Sequence, residues 1–189
     1  MMTAAKTGSV GRLYTSAELE SLFEAFARQI RDARHAGEVA AEQVRHLSFH
    51  GYERYREAMT NIAGISTVLE DKLPWIVDSD QHAVEARFHK LMARMLEMRA
   101  EASVEIFNGL SDAGTLPIGG REVFLVELHE LSKALERLRD PDFSAMVSPE
   151  VRDQISTAHH ILGEIVANAP SLLVLAAQTH RKRRKSSVK

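Results

Sequence analysis

The sequence predicts an all-α protein: an up-and-down helical bundle of about five to six helices, with a disordered N-terminal arm and a basic C-terminal tail. Three observations predict this class. Apolar residues recur at spacings of three and four over long stretches, which is the period of a helix with one buried face. Serine, threonine and aspartate precede several of these stretches, as they do at helix starts. No stretch shows the apolar–polar alternation, flanked by hairpin turns, that predicts a sheet.

The length and composition suit one domain with short appendages. We expect a flexible arm over 1–13, a single helical bundle domain over 14–180 and a basic tail over 181–189. The 189 residues are 44% hydrophobic and 26% charged, as in an ordinary globular protein. The absence of cysteine excludes disulfides and thiolate catalysis. No apolar run has the length of a secretory signal or a membrane span, so we expect a cytoplasmic protein without a transmembrane segment.

The first helix has a well-marked start, because Thr15 and Glu18 have the spacing of a capping box. Gly37 predicts the end of this helix or a bend in it, since glycine is the usual residue just beyond a helix C-terminus. A second helix is predicted from about residue 38 to residue 73. Pro74 stops it, because proline removes a backbone donor and clashes with the preceding turn.

Two glycines, Gly51 and Gly64, lie within the apolar stripe of the second helix. Each costs about 1 kcal/mol relative to alanine in a helix, and we favour close helix packing over a kink as the reason. The third helix is predicted to begin at Asp78. It carries three methionines whose spacing favours adaptable core packing over a partner groove: Met92, Met95 and Met98.

The second half of the chain predicts one loop and three further helices. The stretch 111–120 is the loop, and the fourth helix follows it and closes at Asp140. Ser148 and Pro149 open the fifth helix with a cap and a proline in the first turn. A short, strongly apolar last helix is predicted over 171–178.

The residues from Arg45 to Tyr52 carry the one combination that indicates chemistry: arginine, four residues, histidine, one residue, tyrosine. This stretch resembles the short motif of the HEPN family of all-helical ribonucleases, in which the second position is often Asn, Asp or His, as His46 is. The resemblance implies RNA cleavage without metal at a dimer cleft, with Arg45 stabilising phosphate charge, His50 transferring the proton and Tyr52 in support. An imidazole that titrates near neutrality beside a fixed cation suits that reaction.

A second interpretation of the histidines is metal binding. His46 and His50 are four residues apart, and on the third helix His82, Glu85 and His89 step by three and four. Such spacings align side chains on one helix face, as carboxylate-bridged sites in helical bundles require. The glutamate–two residues–histidine pair of ferritin-like sites is missing from both helices. We therefore expect solvated helix faces rather than a metal, and no cofactor.

The charge of the chain is unevenly distributed. The formal net charge is −2, but residues 181–189 hold six of the 24 basic residues and none of the 26 acidic ones. The remainder has 18 basic against 26 acidic residues, which disfavours nucleic-acid binding there. Binding to nucleic acid or an anionic membrane surface is therefore assigned to the tail. The cations to which we assign this binding form the continuous run Arg181, Lys182, Arg183, Arg184 and Lys185.

On a straight second helix, Phe49 and Tyr52 fall outside the apolar stripe, near Arg45. Exposed aromatic residues beside an arginine are common at protein interfaces. We therefore expect a non-enzymatic helical interaction or regulatory protein that self-associates, as a homodimer, through these three residues. The alternatives are the HEPN-like ribonuclease and a protein that binds polyanions through its tail.

Overall fold

The structure is a computed structural model, which describes residues 13–113, 116 and 119–170. Within these residues the protein is all-helical and contains no strand, so the predicted class is confirmed. The predicted last helix and basic tail lie outside the described residues, as does the arm up to residue 12. The helices are α1 (Ser16–Val44), α2 (His50–Lys72), α3 (Asp78–Ala113), α4 (Gly120–Arg137), α5 (Pro141–Ser144) and α6 (Pro149–Asn168), with a 3₁₀ turn at Leu73–Trp75.

Helix α3 is the centre of the bundle. The close backbone approaches join α1 to α2, α1 to α3, α3 to α6 and α4 to α6. One apolar core runs along these contacts, and burial of each large side chain in it contributes about 1.5–3 kcal/mol. Its fully buried aromatic members are Phe23, Phe26, Tyr55, Phe88, Phe107 and Phe124. None of the helices over 13–113 and 119–170 combines the length and apolar composition that a membrane span requires.

The start of α1 agrees with the sequence. The Thr15 hydroxyl accepts from the Glu18 backbone N–H, and the Glu18 carboxylate accepts from the Thr15 N–H at 2.9 Å, which completes the capping box. The Ser16 N–H donates to the Asp80 carboxylate at 2.7 Å. This second bond holds the first turns of α1 and α3 side by side. The two helices therefore run in the same direction from adjacent N-termini.

The prediction that Gly37 ends the first helix is wrong, because α1 continues through it to Val44. Gly37 is buried at the contact with α2 and α3. A β-carbon there would lie 2.8 Å from the β-carbon of Ala102 and 3.5 Å from the Tyr55 ring. Glycine is therefore required for the close approach of the helices rather than for a helix end.

The predicted start of the second helix at residue 38 is also wrong, because α1 ends at Val44 and α2 begins only at His50. Leu47 lies in the left-handed region at a φ of 58°, which a helix does not allow. Residues on the two sides of this break belong to different helices. Further on, α3 begins at Asp78 and α6 has Pro149 in its first turn, as predicted, whereas the short α5 was not predicted.

Candidate functional site

The methionine cleft lies between α2, α3 and α4 and is named for three of its lining residues, Met59, Met92 and Met95. Its volume is about 460 Å³. The backbone of α4 packs closely on α6, and α4 reaches α2 and α3 mainly through long side chains. The cleft occupies the space that this wider spacing leaves. The charged residues that line it are Arg56, Arg99, Glu127, Glu130, Lys133 and Arg137.

A buried ion pair forms one wall of the cleft. Arg99 Nη2 of α3 donates to Glu127 Oε1 of α4 at 2.6 Å, and the two side chains are only 9% and 7% exposed. Arg99 Nε has no hydrogen-bond partner among the described residues. Charged side chains are rarely buried to this extent unless they are paired. The pair therefore marks the most unusual chemical environment in the described bundle.

Sequence reasoning did not single out either member of this pair. The signal was present, because Arg99 follows Met95 by four residues and precedes Ala102 by three, and therefore lies on the apolar stripe of α3. Glu127 has the corresponding position on α4, three residues after Phe124. A charged residue on the buried stripe of each of two helices predicts that the two are paired.

Two tyrosines stand beside the ion pair. Burial, and after it the negative charge of Glu127, raises the pKa of Tyr52 and of Tyr55 well above the usual range. The hydroxyls of both tyrosines and of neighbouring Ser103 form no hydrogen bond of good geometry among the described residues. The Ser103 hydroxyl is still near enough to Tyr55 to lower the pKa of that tyrosine, against the larger effect of burial. Burial disfavours the charged form of Arg99 and is the largest single effect. The charge and hydrogen bond of Glu127, with the charges of Tyr55 and Glu130, together outweigh it and raise the pKa of Arg99. These tyrosines therefore stay neutral and the guanidinium stays charged throughout the neutral pH range.

The rim of the cleft is more positive than negative. Lys133 pairs with Glu130 at 2.8 Å, and Arg137 pairs with Glu70 of α2 at 2.8 Å. Arg56 lines the cleft from α2 and forms no ion pair within the described part of the chain. This local excess of cations gives the cleft a sign opposite to the net charge of the chain outside residues 181–189, which has 26 acidic against 18 basic residues.

The structure separates Tyr52 from the other two residues of the HEPN-like motif. Arg45 is exposed at the end of α1, where its side chain packs beside Gly109 of α3. His50 is exposed at the start of α2, with Nδ1 at 3.7 Å from the Glu53 carboxylate. Tyr52 is only 3% exposed and lies against Phe124, with 5.2 Å between the ring centroids. The tyrosine therefore does not join the other two at the surface.

The expectation that Tyr52 is an exposed interface residue is wrong for the same reason. The break before α2 rotates the helix relative to the straight arrangement assumed from the sequence, and Tyr52 enters the core. Phe49 is half-buried and packs against that core, while Arg45 remains exposed. Self-association through Arg45 and Phe49 stays a prediction.

The histidines proposed as metal ligands do not converge. His46, in the turn after α1, lies 4.0 Å from Glu42 of that helix, and Glu85 accepts a hydrogen bond from Gln81 at 3.0 Å. His89 lies beside the Phe88 ring, and His82 is exposed. In the part of the chain that the structure describes, no three histidine, aspartate or glutamate side chains come together as metal ligands would.

No family model, curated protein or solved structure matches this chain. The basic tail lies outside the described residues. The functional argument therefore depends on the geometry of the helices and on the charges that they carry.

Proposed function

We propose that this chain is a non-enzymatic helical interaction protein that binds a second copy of itself through the methionine cleft and the adjoining face of α4. The observation that carries the proposal is the exposure of Leu125 and Val126, which are 40% and 53% exposed. Val126 also lines the cleft. An apolar surface therefore continues from the cleft onto the outer face of α4, and continuous apolar surfaces of this kind are typical of interaction sites.

The side chains of the cleft favour a protein ligand. Met59 is the partly exposed methionine of the cleft, whereas Met92 and Met95 are buried in the core, as their spacing on α3 predicts. Methionine is flexible and polarisable and, like arginine, is enriched at interfaces. The fixed ionisation of Arg99 and Tyr55 supports binding rather than proton transfer, because neither group exchanges a proton near neutral pH.

The rim of the cleft carries both signs of charge, as a contact between two identical surfaces requires. Arg56, Lys133 and Arg137 line it together with Glu130, and Glu70 pairs with Arg137 beside it. The cations of each rim can therefore face carboxylates on the rim of the second copy. The apolar centre with a charged rim is the usual arrangement of a protein interface.

Analytical ultracentrifugation of the purified chain at micromolar concentrations tests the proposal. We expect a dimer for the wild type and a monomer for Val126→Glu, because the variant places a carboxylate at the centre of the contact. Val68→Glu is the matched control, since Val68 is 42% exposed on α2 and does not line the cleft. A monomeric wild type, or a Val126→Glu protein that dimerises as well as the control, would contradict the proposal.

A further inference from the structure

A second groove lies between α1 and α3 and differs from the methionine cleft in its charge. Its volume is about 570 Å³. Phe23, Ala27 and Leu91 supply its apolar surface, and Glu24 is the one acidic residue that lines it. Five cations complete the lining of this surface, which we call the basic groove: Arg28 and Arg31 from α1, with Arg87, Lys90 and Arg94 from α3.

Ion pairs between the two helices flank the basic groove on both sides along the helix axes. At one end Arg87 binds Glu20 through both of its terminal nitrogens, and the Nη2–Oε1 distance is 2.7 Å. The Arg87 guanidinium also lies 4.6 Å from the centre of the Phe23 ring, which fixes its position. At the other end Arg34 pairs with Glu101 at 3.2 Å. Opposite charges therefore face each other at the two ends of this helix pair.

Between those ends, like charges face each other. Arg28, Arg31, Lys90 and Arg94 form no ion pair within residues 13–113 and 119–170. Like charges three or four residues apart on one helix cost about 0.2–0.5 kcal/mol per pair, and the facing helix adds to that repulsion. A bound anion would remove this repulsion, so the arrangement is one that a negative ligand stabilises.

We propose that the basic groove binds a ligand that carries two or more neighbouring phosphate groups. The cations are close together: Lys90 and Arg94 are separated by about 6 Å along the helix axis, and Arg28 and Arg31 by about 4.5 Å. Neighbouring phosphates present several negative charges within such a short distance. The planar guanidinium groups donate two parallel hydrogen bonds to phosphate oxygens, which strengthens this choice over a single charge contact.

The groove recognises the phosphates rather than a nucleobase. Phe23 is the aromatic residue among those that line it, and the Arg87 guanidinium lies over that ring. A base therefore finds no open ring on which to stack, although stacking is the usual means of holding single-stranded bases. The shared chemistry is a run of phosphates, which a free polyphosphate compound and a nucleic-acid backbone both supply.

Isothermal titration calorimetry of the full chain with inorganic tripolyphosphate tests this proposal, with orthophosphate as the single-phosphate comparison. We expect tripolyphosphate to bind more tightly than orthophosphate. The variant Arg31→Gln/Lys90→Gln removes one cation from each helix and is expected to weaken tripolyphosphate binding by about tenfold or more. Arg139→Gln/Arg152→Gln is the matched control, because both residues are exposed, lie outside the groove and change the net charge equally.

Several outcomes would overturn the proposal. Equal weakening in both double variants would mean that tripolyphosphate senses only net charge. Unchanged binding in the groove variant would assign the binding to the tail or to another surface. A polyglutamate peptide that binds as tightly as tripolyphosphate would replace the phosphate ligand with an acidic protein.

A competition experiment identifies the source of the phosphates. Single-stranded RNA that competes with tripolyphosphate would identify the source as a nucleic-acid backbone, whereas RNA that does not compete would identify a free polyphosphate compound.

Discussion

Gln43 joins the end of α1 to the start of α2, because its side-chain oxygen accepts a hydrogen bond from the Gly51 backbone N–H at 2.8 Å. The N-cap of α2, Phe49, makes no side-chain capping bond. The first N–H groups of a helix have no partner within it, so Gln43 acts as a cap supplied by the preceding helix. The approach is close: a β-carbon on Gly51 would lie 3.0 Å from the backbone nitrogen of Ala40.

Gly51→Ala is therefore expected to destabilise the protein. Helix propensity alone predicts a gain of about 1 kcal/mol, but contact with the Ala40 backbone opposes it, and overpacking of this kind costs about 1–3 kcal/mol. Gly64→Ala on the same helix is the matched control. Nothing lies within 4 Å of a β-carbon at Gly64, so this variant should be more stable than the wild type by up to about 1 kcal/mol.

Urea unfolding followed by circular dichroism measures both changes. The two substitutions have the same chemistry and the same secondary structure, so opposite signs identify the packing against α1 as the cause. Equal stabilisation of both variants would show that Gly51 is not in close contact with α1.

The sequence predicts features of the fold that depend on residues within one helical turn, and it does not predict features that depend on contacts between helices. The start of α1 was predicted because Thr15 and Glu18 act within one turn, so the signal is local. The role of Gly37 was not, since a glycine at a helix end and a glycine at a close helix contact look alike in a sequence. The break before α2 has no local signal either, because the residue with positive φ is Leu47 rather than a glycine.

The candidate sites were missed for a related reason. Arg99 and Glu127 come from different helices. Their places on the apolar stripes indicate that they are paired, but the tertiary structure is needed to show that the pair forms the wall of a cleft. The basic groove combines α1 and α3, and a net charge summed over the whole body conceals it. Long-range juxtaposition of this kind requires the tertiary structure, whereas the apolar stripes that define the helices do not.

Removal of one partner of the buried ion pair should be costly. Arg99→Met leaves the Glu127 carboxylate buried without its cation, and disruption of this kind costs about 3–5 kcal/mol. The double variant Arg99→Met/Glu127→Leu removes both charges and is expected to recover most of that loss, because apolar pairs of similar volume replace buried ion pairs well. A double-mutant cycle by urea unfolding measures the coupling between the residues. The cycle also needs the single variant Glu127→Leu. If the stability losses of the two single variants add up to the loss of the double variant, the two residues do not interact directly.

Buried tyrosines predict a loss of stability at alkaline pH. The raised pKa of Tyr55 means that the unfolded chain releases the hydroxyl proton above about pH 10, while the folded chain still holds it. The free energy of unfolding therefore does not depend on the protonation of Tyr55 below about pH 10, and it falls as the pH rises beyond that value. Each such group contributes a slope of about 1.4 kcal/mol per pH unit, so Tyr55→Phe should reduce the slope by about that amount.

At neutral pH the same variant should be as stable as the wild type or slightly more stable. The Tyr55 hydroxyl forms no hydrogen bond of good geometry among the described residues, although the Ser103 hydroxyl is near enough to lower its pKa. Its removal therefore abolishes a desolvation cost at the expense of this weak contact alone. Tyr14→Phe is the control, since Tyr14 is half-buried near Lys72 and lies away from the ion pair. Urea unfolding from pH 7 to about pH 11 compares the three proteins. A slope that falls equally in both variants would contradict the assignment.

The ribonuclease alternative predicts RNA cleavage that resists a chelator and requires His50. We expect no such cleavage, because Tyr52, the third residue of the motif, is buried against Phe124. His50→Ala should change stability by less than about 0.5 kcal/mol, since the residue is exposed and its contact with Glu53 lies at the surface.

The assay incubates single-stranded RNA with the wild type, His50→Ala and Arg45→Lys in the presence of a chelator. Arg45→Lys keeps the charge but loses the forked contact to phosphate, so it separates catalysis from simple attraction. Cleavage by the wild type that both variants lose would replace the interaction proposal with an enzymatic one.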